Sequence, residues 1–84
     1  MSEVKVYGAD WCGPTRRVLA QLDRLGVEYT YIDVDGNQDA SNWVKQQNGG
    51  KEKKPTLDIG GRVLTSPSGA ELEDALREAT LLSA

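Results

Sequence analysis

The chain of 84 residues has a single cysteine, Cys12, and no histidine. One cysteine excludes a disulfide within the chain and a zinc site built from several cysteines. The absence of histidine excludes a Cys–His catalytic pair and histidine metal ligands. Any activation of the Cys12 thiol must therefore come from a helix end, from hydroxyl groups or from cationic side chains.

The sequence also lacks long apolar segments and basic segments. No apolar run reaches the roughly 20 residues of a transmembrane helix, and the first residues carry no apolar signal segment. The formal net charge is −3, and no basic face large enough for a nucleic acid is evident. We therefore expect one domain over residues 1–84, a cytoplasmic monomer that binds neither membranes nor nucleic acids.

What the chain does contain is a strand-to-helix turn around its cysteine. A β-branched run precedes Cys12, from Val4 to Tyr7, and an amphipathic helical run follows it, from Val18 to Leu25. The first N–H groups of a helix lack intrahelical partners and carry partial positive charge. A thiolate at that place is stabilised, so its pKa falls, and Arg16 and Arg17 add full positive charge nearby.

The alternative for a lone cysteine is an inert buried thiol, because free cysteine behaves as a small apolar residue. The two residues after Cys12 disfavour this. Gly13 removes side-chain bulk beside the sulfur, and Pro14 suits the first turn of a helix. The pattern therefore favours an accessible nucleophile.

The remaining pattern predicts the element order β-α-β-α-β-β-α. Strands are expected at 3–7, 28–34, 56–59 and 62–65, with helices after Cys12, over 40–47 and from Ser68 onward. Gly60-Gly61 predicts a two-residue hairpin, and Ser68 with Glu71 predicts a capping box. A strand–helix–strand unit gives a parallel pair. The expected fold is α/β, with a mixed four-stranded sheet and helices on both faces.

The run Trp11-Cys12-Gly13-Pro14 resembles the active-site turn of thioredoxins. Over residues 3–80 the chain resembles the glutaredoxins, and among them the mycoredoxin branch. This resemblance implies the thioredoxin/glutaredoxin fold and thiol–disulfide exchange with Cys12 as the nucleophile. Val6 stands where thioredoxins carry a buried acid, which argues against a thioredoxin proper. Thr15 stands where dithiol members carry a resolving cysteine, so the resemblance implies a monothiol mechanism in which the Thr15 hydroxyl donates to the thiolate.

The resemblance also implies substrate-binding residues on three segments. They are Tyr7, Trp11, Gly13, Pro14 and Arg16 around the turn, Lys54 and Pro55 after a charged run, and Ser66, Pro67 and Ser68 before the last helix. In the family the peptide bond before the proline is cis, and the preceding residue, here Lys54, pairs with substrate. Family members usually have a small or β-branched residue there. A solvated loop is the alternative for the charged run 51–54, and simple helix capping is the alternative for Ser68.

For co-substrate the resemblance implies a low-molecular-weight thiol, mycothiol or glutathione. The Pro-Ser segment at 67–68, in place of the glycine pair of most glutaredoxins, favours mycothiol. The expected protein partners are oxidised or S-thiolated proteins, and no metal is expected. Two alternatives stay open. The first is that the protein carries a [2Fe–2S] cluster shared between two subunits, which needs only one thiolate from each chain. The second is that the protein is a binding module that keeps the fold without redox activity.

Overall fold

Seven elements follow the predicted order in the computed structural model, which describes residues 3–82. The strands are β1 Val4–Gly8, β2 Thr30–Asp33, β3 Thr56–Ile59 and β4 Arg62–Thr65, and the helices are α1 Gly13–Leu25, α2 Gln38–Gln47 and α3 Gly69–Glu78. The second strand is shorter than the predicted 28–34 at both ends. None of these helices is both long and apolar enough to cross a bilayer.

The four strands form one mixed sheet in the order β2-β1-β3-β4. β1 is parallel to β2 and antiparallel to β3. β3 and β4 form the predicted hairpin. The two glycines of its turn, Gly60 and Gly61, both have positive φ, 59° and 97°, as a type I′ turn requires.

Helices cover both faces of this sheet, as expected. On one face α1 and α3 pack on the sheet through a cluster of buried aliphatic side chains: Val4, Val6, Val18, Leu22, Leu57, Ile59, Leu72, Ala75 and Leu76. On the other face a smaller cluster joins the sheet to α2: Val34, Ala40 and Val44, with Tyr7, Ile32 and Trp43 packed against them. The alternation of side chains along β1 explains why Val6 and Tyr7 belong to different clusters.

Capping side chains fix where α2 and α3 begin. Asn37 caps α2 by accepting the Ala40 N–H at 3.0 Å, and Ser68 and Glu71 form the predicted capping box of α3. The register places the end of β1 beside the start of β3 and, through it, the end of β4. The starts of α1 and α3 therefore lie at the same end of the sheet, where the strand termini meet, together with the loop that leads into β3.

Candidate active site

Cys12 is the N-cap residue of α1 and has an extended backbone, with φ −84° and ψ 117°. Its N–H donates to the Ala9 carbonyl at 3.0 Å, and its own carbonyl accepts from the Arg16 N–H at 3.1 Å. The side chain makes no capping hydrogen bond, and the residue is half-buried. The backbone thus fixes the position of the residue while the sulfur stays available for chemistry.

The surroundings of this sulfur favour its ionised form. Burial raises the pKa of the Cys12 thiol, but the nearby Thr15 hydroxyl and backbone N–H and the charges of Lys54 and Arg16 outweigh it. The net effect is a pKa below the ordinary value. The thiolate, which is the nucleophilic form, is therefore more populated near neutral pH than in a free cysteine.

Thr15 lies beneath the sulfur and is fully buried. Its Oγ1 accepts the Ala9 N–H at 3.4 Å, so the hydroxyl hydrogen is free to point at Cys12. A Cβ atom built on Gly8 would lie 2.5 Å from Thr15 Cγ2 and 2.6 Å from Oγ1. Gly8 is therefore the residue that leaves room for Thr15 under the nucleophile.

Trp11 forms an exposed wall beside Cys12, with 65% of its surface accessible. Its indole Nε1–H donates to Asp35 Oδ2 at 2.7 Å. The Lys54 ammonium lies over its ring, with Nζ 4.9 Å from the centroid. An exposed indole held at its edge and on its face has a defined orientation, which suits a wall of a binding groove.

Lys54, Pro55 and Ser66 belong to two loops that also approach the sulfur. The Lys54–Pro55 peptide bond is cis. The Lys54 carbonyl oxygen is 3.9 Å from Cys12 Sγ and accepts the Ser66 hydroxyl at 3.3 Å. The Ser66 N–H donates to the Pro55 carbonyl at 2.8 Å. The two loops that bound β3 and β4 therefore converge on the nucleophile.

The other residues predicted for the site lie around its rim. Gly13 and Pro14 are the exposed first residues of α1. Arg16 donates to the Asp10 carbonyl at 2.9 Å and remains close enough to Cys12 to lower the thiol pKa. Pro67 is buried, and its carbonyl accepts from Arg17 at 3.4 Å.

The structure gives two of the predicted residues a packing or capping position. The Tyr7 ring stacks on Trp43, with centroids 4.3 Å apart and an interplanar angle of 22°, within the α2 cluster. This packing accounts for the position of the ring. Ser68 accepts the Glu71 N–H at 3.1 Å, so its side chain serves the capping box of α3.

Sequence reasoning missed Asp35 and Glu52. Asp35 lies 24 positions from the indole that it orients, inside a segment predicted only to turn. Glu52 Oε2 pairs with Lys54 Nζ at 3.4 Å, and its Oε1 accepts the Ser41 hydroxyl at 2.7 Å. The Ser41 hydrogen bond, followed by the Lys54 ammonium, lowers the pKa of Glu52 despite an opposing effect of burial. No periodic pattern connects these positions to the site.

Residues 3–82 contain no cluster of three or more cysteine, histidine or acidic side chains that could hold a metal ion. The groups that the structure brings together at the site are one thiol, a hydroxyl donor and two nearby cations. Such a group can attack a disulfide and carry the resulting mixed disulfide.

Comparison with known proteins agrees with this chemistry. The glutaredoxin family model matches residues 4–64. Mycoredoxin 1 of Corynebacterium glutamicum is 42% identical over 73 residues, 86% of this chain and 90% of that protein. A putative glutaredoxin of Mycobacterium tuberculosis is 32% identical over 72 residues, 84% of this chain and 86% of that protein.

The fold is shared with solved glutaredoxins. The crystal structure of a glutaredoxin from Archaeoglobus fulgidus superposes with a TM-score of 0.75, at 23% identity, over 92% of this chain and 88% of that one. The mixed four-stranded sheet with three helices is thus the thioredoxin fold. The chain belongs to the glutaredoxin family, near its mycoredoxin branch, and is a glutaredoxin-type thiol–disulfide oxidoreductase.

Proposed function

We propose that this protein reduces mixed disulfides between proteins and a low-molecular-weight thiol by a monothiol mechanism. The observation that carries the proposal is the pairing of Cys12 with Thr15. The one thiol of the chain belongs to the N-cap residue of α1 and has a lowered pKa, and a buried hydroxyl lies three residues further on. A hydroxyl can stabilise the thiolate but cannot form a disulfide with it, so a second thiol has to come from solution.

In the first step the Cys12 thiolate attacks the sulfur of the small thiol in a protein mixed disulfide. The old S–S bond breaks, the protein sulfur leaves as a thiolate that takes a proton from solvent, and the small thiol is now bonded to Cys12. Two electrons pass to the protein sulfur. The Thr15 hydroxyl stabilises the attacking sulfur as an anion before the bond forms.

In the second step another molecule of the small thiol, as its thiolate, attacks the small-thiol sulfur that is bonded to Cys12. The Cys12 sulfur leaves as a thiolate, and the two small thiols depart joined as a disulfide. Cys12 is a good leaving group because its pKa is depressed by the donor groups of Thr15 and the charge of Lys54. The same interactions therefore favour both steps.

We call the space over the Cys12 sulfur, between Trp11 and the Lys54–Pro55 segment, the groove, and the small thiol would lie there. The Lys54 carbonyl, already shared with the Ser66 hydroxyl, offers it an acceptor. Mycothiol is the proposed co-substrate ahead of glutathione, supported by the 42% identity to mycoredoxin 1. The protein partners would be oxidised or S-thiolated cytoplasmic proteins, and the chain would act as a monomer.

The test is turnover of a peptide mixed disulfide with mycothiol or with glutathione as reductant. We expect Cys12-dependent release of the peptide thiol with one or both, and a Cys12 adduct of the small thiol that mass spectrometry detects. Thr15→Cys supplies a resolving thiol, so the adduct should no longer accumulate in that variant. Turnover that Cys12→Ser leaves intact, or none with either thiol, would reject the proposal.

A further inference from the structure

We propose that Lys54 selects substrates that carry a carboxylate beside the reacting sulfur, and that Glu52 occupies the place of that carboxylate in the free protein. This inference rests on the proposed function of Cys12. It concerns which disulfides react fastest and leaves the steps of the exchange unchanged.

The position of Lys54 places both its backbone and its charge beside any disulfide that reaches Cys12. Its carbonyl oxygen is 3.9 Å from Sγ, and its ammonium lies 4.9 Å from the centroid of the Trp11 ring. Only 13% of the side chain is accessible, so the ammonium has little freedom to move away from the groove. A substrate disulfide that reaches Cys12 between Trp11 and Lys54 must therefore pass this charge.

Glu52 holds the ammonium through an interaction that can be exchanged. The Lys54 Nζ to Glu52 Oε2 distance is 3.4 Å, longer than a strong charge-assisted hydrogen bond. The other carboxylate oxygen of Glu52 accepts the Ser41 hydroxyl at 2.7 Å, and 30% of the Glu52 side chain is accessible to water. If a substrate carboxylate replaced Glu52 on the ammonium, Glu52 would keep the Ser41 hydrogen bond and gain water.

The other partner of the ammonium does not need to change during this exchange. Trp11 is fixed through its Nε1–H by Asp35, at 2.7 Å, so its ring can keep its contact with Lys54. The hydrogen bond also engages the Asp35 carboxylate, the acid nearest to the indole edge. The groove thus presents a held cation to a substrate while both neighbouring acids have partners of their own.

The experiment compares two peptides that differ only by aspartate or asparagine next to their cysteine, each as a mixed disulfide with 2-mercaptoethanol, which is uncharged. The measured quantity is the ratio of kcat/KM for the acidic peptide to that for the neutral one. From the energies of accessible ion pairs we expect wild type to favour the acidic peptide about threefold. Changes in the reactivity of Cys12 itself cancel in this ratio.

Lys54→Gln should bring the ratio to about one, whereas Lys54→Arg, which keeps the charge, should retain the preference. Glu52→Gln removes the competing carboxylate and should raise the ratio above that of wild type. Lys53→Gln is the matched control, since Lys53 is an exposed lysine one position away on the same loop, and it should leave the ratio unchanged.

An equal ratio in wild type and Lys54→Gln would overturn the inference, as would a Glu52→Gln variant with no increase. Failure of the proposed function looks different, because wild type would then turn over neither peptide faster than Cys12→Ser does. Thermal unfolding of each variant shows whether it is folded, and preference restored by Lys54→Arg excludes a general loss of structure as the cause.

Discussion

Replacing Gly8 by alanine should destabilise the protein by displacing Thr15. The new Cβ would lie 2.5 Å from Thr15 Cγ2, 2.6 Å from Oγ1 and 3.1 Å from Cβ, and Thr15 is fully buried, so the methyl group cannot avoid it. Over-packing of a filled core costs about 1–3 kcal/mol. The loss of glycine flexibility in the unfolded chain offsets roughly 0.4–1 kcal/mol of that cost.

The net loss should therefore be on the order of 1–2 kcal/mol, which lowers the melting temperature of a domain of this size by roughly 4–16 °C. Thermal and urea unfolding followed by circular dichroism measure it. The matched control is Gly13→Ala, because a Cβ on Gly13 meets nothing within 4 Å. That variant should unfold at or above the temperature of wild type.

The Gly8→Ala variant should also lose reactivity at Cys12, since Thr15 can no longer hold its hydroxyl against the sulfur. Alkylation by iodoacetamide near neutral pH should be slower than in wild type. Adding Thr15→Ala removes the two closest contacts, so the double variant should lose less stability than the sum of the two single losses. Strict additivity, or a Gly8→Ala protein as stable as wild type, would refute the packing argument.

Three further predictions concern the thiol and the start of α3. Thr15→Val keeps the shape of the side chain but removes the hydroxyl, so alkylation of Cys12 should slow near neutral pH and approach the wild-type rate in alkali. Because folding lowers the pKa of Cys12, the unfolding free energy of wild type relative to Cys12→Ser should rise with pH between the folded thiol pKa and the unfolded value of about 8.5. A difference that is flat across that window would contradict the depressed pKa. Ser68→Ala removes the capping side chain of α3 and should cost about 0.5–2 kcal/mol in urea unfolding, whereas Ser66→Ala, outside the capping box, should cost less.

The order of the helices and strands could be predicted because the pattern that indicates each element lies in residues close together in the sequence. The Gly60-Gly61 turn and the Ser68–Glu71 box are short-range patterns with a direct mechanism, and both are confirmed. The position of Cys12 at a helix start follows from the strand before it and the helix after it. Strand ends were less predictable, since pairing rather than composition decides where β2 stops.

The contacts that assemble the site span longer distances along the chain and could not be predicted in this way. The Asp35 carboxylate reaches the Trp11 indole across 24 positions, and the Lys54 carbonyl reaches Cys12 across 42. The exclusion of a Cβ at Gly8 by Thr15 likewise depends on how α1 packs over β1. The family resemblance indicated Lys54 and Pro55. It did not indicate Glu52, because Glu52 pairs with Lys54 and the family usually has a small or β-branched residue at that position.

The two faces of the sheet are covered by apolar clusters of unequal size. Cys12 begins α1, whose buried residues belong to the larger cluster, whereas Asp35 and Glu52 flank α2, which is held by the smaller one. Segments with fewer buried apolar side chains open at lower free energy. Local opening of the α2 layer should therefore cost less free energy than opening of the layer that holds α1, the helix that Cys12 begins.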